Sequence, residues 1–331
     1  MSWFEQLTGI TEQSPQQVRN ELSVAGENLV CPNGNQLAFG SLETPSLGEL
    51  RSRLATTSCG NGRLKVRQLV ADAQSLHRDP ANAGALFQVA SQFNLLEMAS
   101  PNTTPEEGVG IYEHDHTQGP VCAISCGAGT IYRNYFAPVG NHIGQSTEHQ
   151  IDCSADLGTL LGNADDELWN LENGYLIPTD AGLAQITSKI TSADESERDR
   201  YRAALRIGLQ WNTAVTLPAA SHRVSQAYCS ALPVSYGSQT TDQWTEFAKL
   251  ILEATYEATL CAAIFNSTRD GKNKLFLTLV GGGVFGNRID WITAAIQRAV
   301  EKYHQHDLDV AIVAYSSPNP AITELIKRLE S

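Results

Sequence analysis

The sequence has few positive charges, no long apolar run and no regular cysteine spacing, and each of these absences excludes a class of protein. Lys and Arg number 23 against 36 Asp and Glu, a net charge of −13, which argues against a general nucleic-acid-binding surface. No apolar run reaches the length of a membrane span, and the first residues lack the basic and apolar regions of a secretory signal. We therefore expect a soluble, cytoplasmic protein with no nucleic-acid or membrane partner.

The cysteine and histidine residues predict neither a disulfide framework nor a metal centre. The seven cysteines are odd in number and widely scattered, which is typical of reduced thiols. Cys122 and Cys126 stand four residues apart, and His114 and His116 flank Asp115, but the sequence places no further ligand beside either pair. We expect the protein to work without a metal or a cofactor.

Segments with strand character alternate with helical segments along most of the chain. The predicted strands are residues 64–70, 85–90, 174–178, 209–217, 223–229, 275–280 and 310–315. The predicted helices begin near Ser14, Ser46, Pro120, Asp180, Asp194, Asp242, Ile289 and Pro320. This alternation predicts an α/β fold with a mixed sheet. We assign residues 1–60 to an N-terminal cap, with a hairpin turn at Asn33-Gly34, and residues 61–331 to one catalytic domain.

The most informative stretch is residues 275–301, where an apolar run enters a glycine-rich loop and continues as a helix. The loop, residues 280–287, reads Val-Gly-Gly-Gly-Val-Phe-Gly-Asn, and the apolar run at 310–315 predicts a second, parallel strand. Glycines between a buried strand and a helix N-terminus let backbone N–H groups close on an anion. The pattern predicts a phosphate-binding loop at the carboxyl edge of a sheet, with a merely close-packed turn as the alternative.

This loop, with the helix and strand after it, resembles the second phosphate loop of macrodomains, the ADP-ribose-binding fold. Residues 87–94, Phe-Gln-Val-Ala-Ser-Gln-Phe-Asn, resemble a divergent first loop of that family, although the usual three glycines after Asn94 are absent. Residues 117–124 and 131–136 look most similar to the MavL-type branch, the arginine-specific ADP-ribosyl hydrolases. The resemblance covers about residues 60–331 and implies a macrodomain-like three-layer α/β/α fold with an N-terminal elaboration.

The resemblance also implies a set of residues that bind ADP-ribose. Asn94 is expected beside the distal ribose, and the helix N-terminus near Gly119 is expected to face the pyrophosphate opposite the glycine loop. Phe285 is expected either against a ribose or over the core, and Tyr315 either on the ligand or at the rim. The expected binding set is Asn94, Thr117, Gln118, Gly119, Gly281, Gly282, Gly283, Val284, Phe285, Gly286, Asn287 and Tyr315.

Acidic residues dominate the stretch between Asn94 and Tyr132, which has five acids and no Lys or Arg. Cleavage of an ADP-ribosyl bond develops positive charge at the anomeric carbon, which a carboxylate stabilises or uses to activate water. Further carboxylates can hold the planar guanidinium of an arginine leaving group through paired hydrogen bonds. We rank Asp115, Glu107 and Glu97, in that order, as candidate catalytic residues. The alternative is that these acids only face solvent.

The leading hypothesis from sequence is a hydrolase that releases ADP-ribose from modified protein side chains, with arginine as the expected attachment. An alternative from a different class is a reader module that binds ADP-ribose or an ADP-ribosylated protein without cleaving it. A poly(ADP-ribose) glycohydrolase-like enzyme is a third hypothesis, which the pair Glu106-Glu107 superficially matches. A generic Rossmann domain fits less well, because its glycine fingerprint follows the first strand.

Overall fold

The computed structural model describes residues 1–57, 62–270 and 272–330. The helices are α1 (Trp3–Thr8), α2 (Pro15–Glu21), α3 (Leu47–Thr56), α4 (Ala73–Arg78), α5 (Gln118–Ser125), α6 (Gly127–Tyr135), α7 (Ala155–Leu161), α8 (Asp180–Ser192), α9 (Glu195–Ala204), α10 (Thr241–Asp270), α11 (Ile289–Lys302) and α12 (Pro320–Glu330). The strands are β1 (Ser23–Ala25), β2 (Asn28–Val30), β3 (Gln36–Ala38), β4 (Ser41–Glu43), β5 (Lys65–Val70), β6 (Leu86–Ala90), β7 (Pro138–Val139), β8 (His142–Ile143), β9 (Trp169–Glu172), β10 (Tyr175–Pro178), β11 (Gly208–Ala214), β12 (Arg223–Cys229), β13 (Lys274–Leu277) and β14 (Asp309–Ala314). Cys59 and the predicted boundary between residues 60 and 61 lie outside the described residues.

Seven strands form a central sheet in the order β4-β11-β12-β6-β13-β14-β5. The strands from β12 to β5 are parallel to their neighbours, whereas β11 is antiparallel to both β12 and β4. The predicted parallel pair on either side of the glycine loop is β13 and β14, with α11 between them in sequence. Both the α/β class and the mixed sheet predicted from sequence are confirmed.

Alternate residues of the central strands enter two different cores, so both faces of the sheet are covered. On β13, Leu275 and Leu277 belong to the larger core, while Phe276 belongs to a smaller core on the opposite face. Helix α10 lies against α3, α8 and α11 on the first face, and α4, α5 and α6 cover the second, where α5 contacts β6 and α6 contacts β11. The arrangement is a three-layer α/β/α structure.

Several local sequence patterns in the N-terminal segment form the caps and the turn that they predict. The Ser14 hydroxyl caps α2 by accepting from the Gln17 N–H, and Ser46 forms a capping box with Glu49 at the start of α3. The turn at Asn33-Gly34 joins the antiparallel strands β2 and β3. Strand β4 then enters the central sheet at the edge beside β11, so the segment is a sheet member as well as a cap. Its assignment as a separate unit stays a prediction.

Three segments differ from the sequence prediction. The single helix predicted to begin near Pro120 is two helices, because Cys126 is non-helical (φ −122°, ψ 55°) between α5 and α6. The predicted strand at 174–178, β10, pairs with β9 in a separate two-stranded sheet. The loop after Asn94, where the sequence predicts neither a strand nor a helix before Pro120, contains the 3₁₀ segments Pro105–Glu107 and Gly110–His114 and buries Leu95 and Tyr112.

Candidate functional site

The loops that follow five parallel strands meet at one edge of the central sheet and line two adjoining clefts. Cleft-lining residues directly beyond these strands are Ala71 after β5, Ser91 after β6, Ala231 after β12, Thr278 after β13 and Tyr315 after β14. We name the cleft of about 160 Å³ the inner cleft and the neighbouring one of about 690 Å³ the outer cleft. Both are lined by Thr117, Gln118, Thr278, Leu279 and Gly283, which places ligand-sized space where open α/β sheets bind ligands.

The glycine loop presents unused backbone donors to these clefts. Internal hydrogen bonds from the N–H groups of Gly282, Gly286 and Asn287 fix its shape. The N–H groups of Gly281, Gly283, Val284 and Phe285 have no hydrogen-bond partner among the residues that the structure describes. These four residues line the inner cleft. A run of free amides beside a helix N-terminus is suited to an anion such as a diphosphate.

Gly281 and Gly286 are required by the loop's backbone. Gly281 has a φ of 74°, and a Cβ there would lie 2.5 Å from Ala231 Cβ. Gly286 also has a φ of 74°, and its Cβ would lie 1.9 Å from Ser235 Oγ. Both glycines therefore permit a left-handed turn that no larger residue fits.

The N-terminus of α5 forms the opposite wall of the inner cleft. The N–H groups of Gln118 and Gly119 have no partner within the described part of the chain, and their helix carries positive partial charge at this end. The Gln118 side chain is structural, because it accepts from the Ala90 N–H and donates to the Gln88 carbonyl. A Cβ on Gly119 would lie 2.1 Å from the Ala90 carbonyl oxygen and 2.2 Å from Glu97 Oε2. Glycine at this position thus lets Glu97 approach the helix.

Glu97 is a buried carboxyl group that lines the inner cleft. It is 4% exposed, and its Oε1 has no hydrogen-bond partner among the described residues. Its backbone N–H donates to the Tyr112 hydroxyl at 2.9 Å, which fixes the loop that presents it. Burial raises the pKa of Glu97 well above its usual value, the charge of Arg133 lowers it, and Asp115 raises it. Its environment therefore favours the protonated acid, as at many catalytic carboxyls.

Asp115 also lines the inner cleft, in a half-buried position at the end of the second 3₁₀ segment. Its Oδ1 accepts from the Thr117 N–H at 2.8 Å, which places the carboxylate beside the start of α5. Its charge contributes to the raised pKa of Glu97, so the two carboxyl groups are electrostatically coupled. Of the three acids ranked from sequence, Asp115 and Glu97 thus both line the inner cleft.

Glu107, the second-ranked acid, is not placed at the site. It is exposed, lies outside both clefts, and accepts from the Thr104 N–H at 3.1 Å in a capping interaction. Glu106 binds the N–H and hydroxyl of Thr147, and Glu113 accepts from the Trp3 N–H. These acids are held by hydrogen bonds, in the case of Glu106 and Glu113 to residues far away in the chain.

Three residues that were expected to contact the ligand stabilise the loops of the site but do not line either cleft. Asn94 is fully buried; its Oδ1 accepts from the Leu96 N–H and its Nδ2 donates to Gln150. Asn287 donates to the Leu232 carbonyl at 2.8 Å, and Gly286 shapes the turn beside it. The remaining expected binding residues all line one or both clefts: Thr117, Gln118, Gly119, Gly281, Gly282, Gly283, Val284, Phe285 and Tyr315.

Sequence reasoning missed an aromatic cluster at the inner cleft. The rings of Tyr175, Tyr236 and Phe285 lie with centroids 5.3 to 5.5 Å apart, and all three residues line the cleft. Gln92 also lines it and binds both the N–H and the carbonyl of Met98, which closes the loop around Glu97. The aromatic residues are far apart in sequence, so no local pattern could have linked them.

Within residues 1–57, 62–270 and 272–330, no group of three or more His, Cys, Asp or Glu residues is arranged to hold a metal ion. Over the same residues, no helix combines the length and apolar character needed to cross a membrane.

No protein-family model matches the chain, and no curated protein matches it in sequence. Among solved structures, the poly(ADP-ribose) glycohydrolase of Thermomonospora curvata aligns over 95% of this chain and 96% of that chain, at 13% identity and a TM-score of 0.45. The poly(ADP-ribose) glycohydrolase of Deinococcus radiodurans in complex with ADP-ribose aligns over 87% and 92%, at 13% identity and a TM-score of 0.47.

Proposed function

We propose that this protein is a macrodomain-like hydrolase that cleaves a glycosidic bond to the distal ribose of ADP-ribose. The observation that carries the proposal is the position of Glu97. A buried carboxyl group with a free Oε1 lines the same cleft as two sets of unused backbone amides. Amides of this kind suit a diphosphate, and a carboxyl group with a raised pKa suits acid catalysis at a sugar.

We assign the parts of ADP-ribose to the two clefts in one continuous order. The diphosphate lies between the glycine loop and the N-terminus of α5, both of which line the inner cleft. The distal ribose then lies farther into that cleft, toward Glu97 and the aromatic cluster. The adenosine lies in the outer cleft, where Tyr315 is 81% exposed and offers a ring face.

The chemistry requires one carboxyl group that first gives and then takes a proton. Protonated Glu97 donates its proton to the leaving oxygen as the bond to the anomeric carbon breaks, leaving positive charge on the sugar. The resulting carboxylate stabilises that charge and then accepts a proton from the attacking water. The products are ADP-ribose and the free alcohol, and Glu97 is protonated again. Asp115 adds negative charge that keeps the proton on Glu97 before the reaction.

We favour an oxygen-linked substrate, such as poly(ADP-ribose) or serine-linked ADP-ribose, over an arginine-linked one. An alcohol leaving group needs a proton donor, which a buried protonated acid supplies. A guanidinium needs ionised carboxylates that accept paired hydrogen bonds. Of the two carboxyls that line the inner cleft, Glu97 favours its protonated form and Asp115 uses Oδ1 to bind Thr117. One observation favours an arginine-linked substrate. No Lys or Arg, which would repel a guanidinium, is among the described residues that line either cleft.

Glu97→Gln tests the proposal because it preserves the shape of the side chain but removes its titratable proton. We expect at least a hundredfold loss of ADP-ribose release from poly(ADP-ribose), in line with the roughly 10²–10⁴-fold typical of acid–base catalysis. The affinity for free ADP-ribose, measured by calorimetry, should change by less than about threefold. The wild-type rate should fall as pH rises past the raised pKa of Glu97, because the acid loses its proton.

The control is Glu107→Gln, which changes an exposed carboxylate outside both clefts and should leave the rate unchanged. Serine-linked and arginine-linked ADP-ribosylated proteins complete the substrate panel, and faster release from arginine would reverse our preference. A wild-type protein that binds ADP-ribose but cleaves none of these substrates would support the reader module instead. Full activity in Glu97→Gln would refute the catalytic assignment.

A further inference from the structure

Arg133 is a buried cation that the proposed reaction does not yet use. Its side chain, on α6, is 1% exposed and has no carboxylate within ion-pair distance among the described residues. The guanidinium donates to the Leu95 carbonyl at 3.2 Å, to Thr130 Oγ1 at 3.0 Å and to Gln210 Oε1 at 3.4 Å. It also lies 3.6 Å from the ring centroid of Tyr228. Burial of a charge without a counter-charge is costly, which points to a function.

The hydrogen bond to Leu95 connects Arg133 to the segment that presents Glu97. Leu95 has a φ of 66°, a left-handed conformation that is unusual for a bulky residue. Its carbonyl is held by Arg133 two residues before Glu97, and its N–H donates to the Gln92 carbonyl. Arg133 therefore fixes the turn from which Glu97 enters the inner cleft.

We propose that Arg133 is a positioning residue that stabilises the negative charge formed on Glu97 when Glu97 gives its proton to the leaving group. This inference rests on the proposed function. In the free protein burial raises the pKa of Glu97 and so favours its protonated form, in which the charge of Arg133 has no close counter-charge among the described residues. When the bond to the anomeric carbon breaks and the leaving oxygen takes the proton, the new carboxylate supplies that counter-charge. The water attack returns the proton, and the buried pair is again singly charged.

The other groups that face Glu97 cannot supply this stabilisation. They are Tyr112 on the 3₁₀ segment Gly110–His114, Asp115 directly after it, Cys122 on α5, Tyr175 on β10 and Tyr228 on β12. Each of them is neutral or negatively charged. Among the described residues, Arg133 is the one whose positive charge lowers the pKa of Glu97, against the larger effect of burial.

The test is a carbon-13 NMR titration of the Glu97 carboxyl in the free protein, in wild type and in three variants. Arg133→Met removes the charge and the hydrogen bonds, Arg133→Gln keeps a donor without charge, and Arg133→Lys keeps the charge. We expect both neutral variants to raise the pKa of Glu97 by about one unit or more, a tenfold change in proton affinity, and Arg133→Lys to leave it nearly unchanged. If Arg133→Met does not fold, Arg133→Gln and Arg133→Lys still give the comparison.

Activity provides the second measurement. With poly(ADP-ribose), the neutral variants should lose at least tenfold in kcat while the affinity for ADP-ribose stays within about threefold, and the high-pH limb of the rate profile should move to higher pH. A loss of kcat with an unchanged Glu97 titration would mean that Arg133 only supports the fold, and would overturn the inference. Because the titration uses no substrate, it gives its answer even if the hydrolase assignment fails.

Discussion

Three glycines of the inner cleft meet three different physical requirements. Gly281 adopts a left-handed backbone conformation, and Gly119 leaves space that a carboxyl oxygen of Glu97 fills. Gly283 has neither constraint, since a Cβ there would meet nothing within 4 Å. Gly283 also lines both clefts. It is therefore the position in the loop where a side chain tests ligand binding without disturbing the fold.

Gly283→Glu should weaken ADP-ribose binding by at least tenfold. The added carboxylate would face the diphosphate, and repulsion between like charges at such a site is worth on the order of 1–2 kcal/mol or more. Calorimetric titration with ADP-ribose measures the change. Gly283→Gln is the matched control, because it adds the same volume without charge and should weaken binding by less than about threefold. Equal affinities of the two variants for ADP-ribose would show that a negative charge at this loop does not affect ligand binding.

At the scale of elements, the N-terminal segment holds the loop that carries Asp115. The Glu12 carboxylate accepts from the N–H groups of Val109 and Gly110 at 3.0 and 2.6 Å and from the Tyr135 hydroxyl at 2.5 Å. Burial raises the pKa of Glu12, while these three hydrogen bonds lower it, with a raised value as the result. The segment that sequence assigns to a cap is thus bonded directly to the first loop of the site.

Glu12→Leu should loosen that loop. It removes both carboxylate oxygens, which together accept three hydrogen bonds, and leaves the N–H groups of buried Val109 and half-buried Gly110 without these partners. An unsatisfied buried group costs about 1–3 kcal/mol. Hydrogen exchange at these two amides should accelerate, and chemical denaturation should show reduced stability. Glu27→Leu is the control, because Glu27 is exposed and its carboxylate makes no hydrogen bond within the described residues. Unchanged hydrogen exchange at Val109 and Gly110 would show that the loop is stable without its hydrogen bonds to Glu12.

At the scale of the whole molecule, one buried carboxylate joins three helices. Glu257 on α10 is fully buried and pairs with Arg51 of α3 and with Arg298 and Lys302 of α11. Burial raises its pKa, but the hydrogen bonds from Arg51, Lys302 and Arg298 outweigh burial and bring the pKa to about 2. Because the folded pKa lies below the unfolded one, the stabilisation is present above about pH 4.5 and is lost as pH falls toward 2.

Glu257→Gln should lower the free energy of unfolding at pH 7 by about 1.5–3 kcal/mol, because it removes the charge from the carboxylate that accepts hydrogen bonds from the partly exposed Arg51, Arg298 and Lys302. The loss of stability between pH 4.5 and 2 should also become shallower than in wild type, as urea denaturation at a series of pH values would measure. The control is Asp309→Asn, whose partner Arg67 is largely exposed and whose surface pair is worth at most about 1 kcal/mol. If Glu257→Gln were as stable as Asp309→Asn, the ion pairs of Glu257 would not be needed for the packing of α3, α10 and α11.

The sequence by itself determined the features that depend on neighbouring residues. Alternating apolar segments indicated the α/β class, and the loop at 280–287 indicated free amides at a sheet edge. The capping box of Ser46 and Glu49 was equally visible, because both partners lie within one helical turn. In each case the physical cause acts over a few residues, so the local pattern was sufficient.

Only the tertiary structure decided which acids line the inner cleft. Glu97, ranked last from sequence, is buried beside Gly119, Tyr112 and Arg133, which lie 15 to 36 residues away in the chain. Glu107, ranked above it, caps its own short helix in solvent. The pKa of a carboxyl group depends on burial and on the charges around it, and both are set by packing between distant segments. For that reason the sequence could supply the candidates but could not order them.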